Sequence, residues 1–133
     1  MKVIVKKISI VVGLVMLFSN CSIEGSEPTC TARETAPIES VTGATTVAVN
    51  TVLPLNVVYK VTNTCGLIEN FEEITVEGVK FVSVAALYDG CECTQQDILR
   101  STPYNFSASQ AGTYVIRFKT SGSDIIYTIE VTN

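Results

Sequence analysis

Across residues 53–62 the chain alternates one for one. Leu53, Leu55, Val57, Tyr59 and Val61 share one face, while Pro54, Asn56, Val58, Lys60 and Thr62 share the other. A period of two marks a β-strand with one side in a core and the other toward water. Pro54 has no amide hydrogen for a ladder, so it belongs near the start of that strand or on an edge. The period returns at Tyr114, Ile116 and Phe118, with Val115, Arg117 and Lys119 pointing outward. After the tight turn Ser121-Gly122-Ser123 it continues through Ile125, Tyr127, Ile129 and Val131 as a terminal hairpin. Further strands are expected at residues 38–42, resuming at 46–49 after Gly43, at about 67–73, and at 104–108. Residues 79–88 are apolar on both faces, which suits a strand covered on both sides or one beside a partner surface. No period is evident from 89 to 103, where a long connection is expected. Seven strands and no amphipathic helix describe an all-β domain over residues 37–133.

The first 20 residues follow another pattern. Lys2, Lys6 and Lys7 precede an apolar run over residues 8–18, which closes at Ser19, Asn20 and Cys21. The run is about half the roughly 20 residues a membrane span needs, and this charged-then-apolar profile is that of a secretory signal, residues 1–20. Residues 21–36 are small, polar or acidic, without a period, and read as a flexible tether.

Composition narrows the chemistry. The chain has no histidine, which removes Ser-His-Asp and Cys-His catalysis and imidazole metal ligation. From Cys21 onward, 6 Lys and Arg stand against 13 Asp and Glu, a net charge of −7, so nucleic acid is not an expected partner. Val, Ile and Thr supply 13, 9 and 16 of those residues, which favours strands. No catalytic residue, metal or cofactor is assigned, and the domain is expected to be non-enzymatic.

Phe18-Ser19-Asn20-Cys21 resembles the lipobox of bacterial lipoproteins, although Asn20 stands where Gly, Ala or Ser is usual. The resemblance implies that lipoprotein-processing machinery lipidates Cys21 as the first mature residue. The N-terminal lipid then becomes the membrane contact of an outer-membrane protein, periplasmic or surface-exposed. The spacer Ser22-Ile23-Glu24-Gly25-Ser26-Glu27 is similar to that of Bacteroidetes-type lipoproteins, which implies the cell surface. The domain looks like an immunoglobulin-like seven-stranded β-sandwich. Its Gly112-x-Tyr114 approach resembles the tyrosine corner of that fold. The runs Ser40-Val41-Thr42-Gly43, Asn63-x-Cys65-Gly66 and Gly90-Cys91-x-Cys93-Thr94-Gln95, ahead of a Gly-Thr-Tyr strand, are similar to those of Bacteroidetes and Flavobacteria lipoproteins with no assigned activity. The chain lacks the sandwich tryptophan, and Ile116 occupies the place of the second core cysteine, which argues against the antibody-type inter-sheet bond.

Apart from Cys21, the cysteines are Cys30, Cys65, Cys91 and Cys93, an even number in an exported chain. On an immunoglobulin-like sandwich all four fall at one pole. Cys91 and Cys93 are too close in sequence to pair without strain, so Cys65 is expected to bond one of them and Cys30 the other. An alternative is a small thiol/disulfide redox or metal-binding protein using Cys91 and Cys93. Against it, Glu92 would oppose a lowered thiol pKa, and a C-x-C pair strains tetrahedral zinc. A second alternative is an accessory subunit of a surface complex, docked through residues 79–88. Glu69, Glu72, Glu73 and Glu77 form an acidic cluster that reads as a solvated edge, without the spacing of a calcium loop. Thr94, Gln95, Gln96, Asp97 and Arg100 in the 89–103 connection are the candidates for binding a protein or glycan ligand. The tyrosines are assigned mainly to the core.

Overall fold

The computed structural model describes residues 29–133; the expected signal at 1–20, Cys21 and the expected tether up to residue 28 lie outside the described residues. Nine strands follow in chain order: β1 (Thr31–Ala36), β2 (Ile38–Thr42), β3 (Thr46–Ala48), β4 (Leu53–Asn63), β5 (Gly66–Val76), β6 (Val79–Asp89), β7 (Gln95–Phe106), β8 (Gly112–Phe118) and β9 (Ile125–Thr132). They form a three-stranded sheet, β2-β4-β7, packed on a six-stranded one. In the larger sheet β6 pairs with β5 along its length and also with β1 and β8, and the order continues β8-β9-β3. The fold is the all-β sandwich expected from the alternation.

The seven expected strands become nine for two reasons. The first one divides at Gly43: β2 runs antiparallel to β4, whereas β3 runs parallel to β9, so the break carries the chain from one sheet to the other. Residues 31–36, expected as tether, form β1 on β6, in register from Thr31↔Asp89 to Ala36↔Val84. Only Ala36 of β1 is buried. Backbone pairing, not side-chain burial, holds this strand, which is why its sequence shows no period. The fold therefore includes residues 31–36, ahead of the expected boundary at 37. Two pairings depart from the antiparallel sheets of an immunoglobulin domain: besides β3 with β9, β6 and β8 run parallel, from Lys80↔Ile116 to Val82↔Phe118.

The alternating face of β4 supplies the centre of the core, with Leu55, Val57 and Val61 fully buried against Val84 and Ala86 of β6, Phe118 of β8 and Ile129 of β9. Pro54 is the second residue of β4, past the end of the β2 ladder and opposite Asn105. Pro103 sits on β7, an edge strand.

The tyrosine hydroxyls fasten the layers. β4 bulges between Val61 and Asn63, and β5 between Ile68 and Asn70. Each bulge takes a backbone N–H out of the ladder. At the first, Tyr88 accepts the Thr62 N–H at 3.2 Å; at the second, Tyr59 accepts the Ile68 N–H at 2.9 Å. Tyr114 donates to the Gln110 carbonyl at 2.9 Å, the tie of a tyrosine corner, and Tyr127 donates to the Gly43 carbonyl at 2.7 Å.

Candidate functional site

Strand direction brings β1's start, the β4–β5 turn and the β6–β7 connection to the same end of the sandwich. Cys30 is bonded to Cys91, with Cα atoms 4.9 Å apart, and Cys65 to Cys93, with Cα atoms 5.6 Å apart. The expected pole and pattern of pairing are both present, and the structure resolves which partner each cysteine takes. Two disulfides in so small a domain place it in an oxidising, non-cytoplasmic compartment.

The pole is tightly built around these bonds. The Cys65 N–H donates to Asn63 Oδ1 at 2.9 Å, Thr64 and Thr94 exchange two hydrogen bonds at 3.1 and 3.0 Å, and the Gly90 N–H donates to the Cys30 carbonyl at 2.9 Å. Gly90 has φ +140°, and a Cβ there would stand 3.0 Å from Cys65 Sγ. At Gly66 a Cβ would come within 2.6 Å of the Tyr88 ring. Both glycines leave room for their neighbours, which a side chain would displace.

The expected long binding loop is instead five connecting residues, 90–94, followed by β7. β7 pairs with β4 from Asn63↔Gln95 to Leu53↔Phe106. Its inward positions are Ile98, Arg100, Thr102, Tyr104 and Phe106, a period hidden in the sequence by the arginine. Arg100 reaches the pole, donating to the Thr64 carbonyl at 3.1 Å. Asp97 faces outward and pairs with Lys60 at 3.5 Å. Thr94 is held by Thr64, and Gln95 and Gln96 are exposed at the start of β7. These five candidates thus do not converge on one pocket: two brace the pole, one pairs across the outer face of the sheet, and two face solvent on an edge strand.

No family model, curated protein or solved structure matches this chain. The chemistry is therefore read from the residues alone. Sulfurs held in S–S bonds offer no thiolate to a zinc ion or a substrate in this state. The acidic cluster is dispersed by the β5 bulge. Arg33 binds Glu69 and Glu72 on the outer face, Glu73 turns to the inner side, and Glu77 sits in the β5–β6 turn at φ +51°. No group of three or more His, Cys, Asp or Glu side chains gathers to hold a metal among the described residues. Glu73 accepts from Tyr104 at 2.6 Å and from Lys80 at 3.1 Å. Burial pulls its pKa upward, but the Tyr104 hydroxyl and the Lys80 ammonium outweigh that and leave it below the ordinary carboxylate value. Tyr104 is held well above the usual tyrosine value, first by burial and then by its bond to Glu73.

One surface feature escaped the residue-by-residue reading. Ile74, Phe81, Arg117 and Ile126 lie opposite one another on β5, β6, β8 and β9, forming one row across the outer face of the six-stranded sheet. The doubly apolar run at 79–88 was its trace in the sequence. The row borders a groove of about 410 Å³, with Ser83, Lys119 and Asp124 along its other side.

Proposed function

We propose that this chain is a lipid-anchored protein of the cell envelope, attached to the outer membrane through Cys21, whose sandwich serves as a non-enzymatic binding or structural module. The observation that carries the reading is the disulfide-linked pole. The chain enters the fold at Cys30 and is bonded at once to Cys91. Cys30 is nine positions after Cys21, so the tether reaches about 30 Å at ~3.3 Å per residue. The cysteine pole then lies near the bilayer, while the sheet faces and the opposite pole are free to meet a protein or glycan. Support for a non-enzymatic role comes from how the reactive groups are engaged. Cys30, Cys65, Cys91 and Cys93 are cross-linked, and Glu69, Glu72 and Glu73 are taken up by Arg33, Lys80 and Tyr104.

Metabolic labelling with a palmitate analogue tests the anchor: label on the wild type and none on Cys21→Ala is expected, and equal labelling of both would refute it. Limited proteolysis on intact cells tests the orientation. Cutting at 107–111 before 90–94 is expected, and the reverse order would overturn the proposed presentation.

A further inference from the structure

Four of the six exposed large aliphatics among the described residues, Leu67, Ile74, Val76 and Ile126, each 51–64% exposed, lie on the outer face of the six-stranded sheet; Leu99 lies on β7 and Val52 just before β4. The row Ile74–Phe81–Arg117–Ile126 crosses the middle of that face. One step along the same strands lie Val76, Val79, Val115 and Thr128. Arg117 stands over the Phe81 ring at 5.9 Å and has no carboxylate within ion-pair distance among the described residues.

This order of residues is self-complementary. A two-fold axis running along the strands, midway between β6 and β8, lays β5 of one copy over β9 of the other and β6 over β8. Ile74 then meets the other copy's Ile126, and Phe81 meets its Arg117. In the adjoining row Val79 meets Val115, and Val76 meets the methyl-bearing Thr128. Each guanidinium stacks on an aromatic ring, and the two guanidiniums lie diagonally, not opposed. At the rim Glu72 approaches Asp124, but Arg33 and Lys119 already offset their charges. Sheets packed in this way sit about 10 Å apart, close enough for such side chains to interdigitate.

We infer that the outer face of the six-stranded sheet is an isologous interface whose partner is a second copy of this chain. The interface does not depend on the lipid anchor, so loss of palmitate label in the preceding experiment and loss of dimer here are separate outcomes.

Cross-linking of the full-length chain in membranes tests the geometry, with a bis-maleimide of about 8 Å reach. Within one chain positions 74 and 126 are three strand spacings apart, about 14 Å, beyond that reach. Ile74→Cys combined with Ile126→Cys should give cross-linked dimer, and each single variant at least ~10-fold less, because neither position faces itself. Phe81→Arg sets guanidinium against guanidinium and should lower the yield ~10-fold in the double-cysteine background. Adding Arg117→Phe restores an aromatic–cation pair and should return it to within ~2-fold. No dimer from the double-cysteine chain, cross-links only to another protein, single variants as effective as the pair, or failure of the Phe81→Arg/Arg117→Phe swap to recover the yield would each overturn the inference. An unchanged far-UV circular dichroism spectrum separates lost association from misfolding.

Discussion

The two poles of this sandwich meet the same problem, holding several turns together at the end of a small core, by different means. At one pole the β4–β5 turn, the 90–94 connection and the start of β1 are joined by Cys30–Cys91 and Cys65–Cys93. At the other, the Gly43 and Gln110 turns are held by the hydroxyls of Tyr127 and Tyr114, and Asn50, at φ +57°, donates its N–H to the Ala108 carbonyl at 2.8 Å. A covalent bond restricts the unfolded chain as well as the folded one, whereas a hydroxyl bond acts only in the fold and exchanges with water. The stapled pole is therefore expected to open less readily than the hydrogen-bonded one.

Breaking the staples should have the largest effect. Replacing either cysteine pair by serine should cost about 2–4 kcal/mol in urea unfolding. On the chain-entropy account the Cys30–Cys91 loop, with a separation of 61, should cost more than Cys65–Cys93, with 28, by about 0.7 kcal/mol. The opposite order would mean that local strand clamping, not loop closure, sets the difference. Gly90→Ala should also weaken this pole, because it places a Cβ against Cys65 Sγ at a φ that only glycine adopts easily. Its expected cost is about 1–3 kcal/mol, read from the same unfolding curves.

Between the poles, Tyr59→Phe removes the acceptor for the Ile68 N–H at the β5 bulge and should cost about 1–3 kcal/mol. Tyr127→Phe and Tyr114→Phe, at the hydrogen-bonded pole, should cost less, about 0.5–1.5 kcal/mol each, since water replaces a lost partner there. Hydrogen exchange should place the amides of the Gly43 and Gln110 turns among those most easily opened, ahead of the Thr64 and Thr94 amides. Equal protection at both ends would erase the contrast.

The smallest effect is a pH dependence at Glu73, a partly exposed residue of β5 that reaches Tyr104 of the other sheet. Glu73 titrates lower in the folded state than in the unfolded chain, so its contribution to stability is present above its unfolded pKa and is lost as pH falls through its folded one. Thermal melts between pH 5 and pH 3 should show a shallower decline for Glu73→Gln than for the wild type. A parallel decline in the two would remove Glu73 from the account.

Much of this architecture is legible in the amino-acid sequence. The alternation of β4, β8 and β9 survives in the sequence because each buries one face fully, as Leu55, Ile116 and Ile129 show. Of β7 only the end at Tyr104 and Phe106 was legible, since an edge strand exposes much of its length and Arg100 interrupts its inward face. β1 was missed for a related reason: backbone pairing to β6 and the adjacent Cys30–Cys91 bond hold it without apolar side chains. The five binding-loop candidates do not gather in one loop because four of them, Gln95, Gln96, Asp97 and Arg100, lie on β7, where neighbours point to opposite faces.

What the sequence by itself determined is whatever depends on local periodicity and residue type: an all-β domain, four cysteines besides Cys21 free to pair with one another, and no histidine chemistry. What only the tertiary structure decided depends on register between distant segments. It fixed that Cys30 takes Cys91 and Cys65 takes Cys93, that tyrosine hydroxyls close the bulges of β4 and β5, and that Ile74, Phe81, Arg117 and Ile126 align across four strands. A sequence repeats its pattern along one strand, but which residues share a row across a sheet is set by pairing, and pairing is a property of the folded chain.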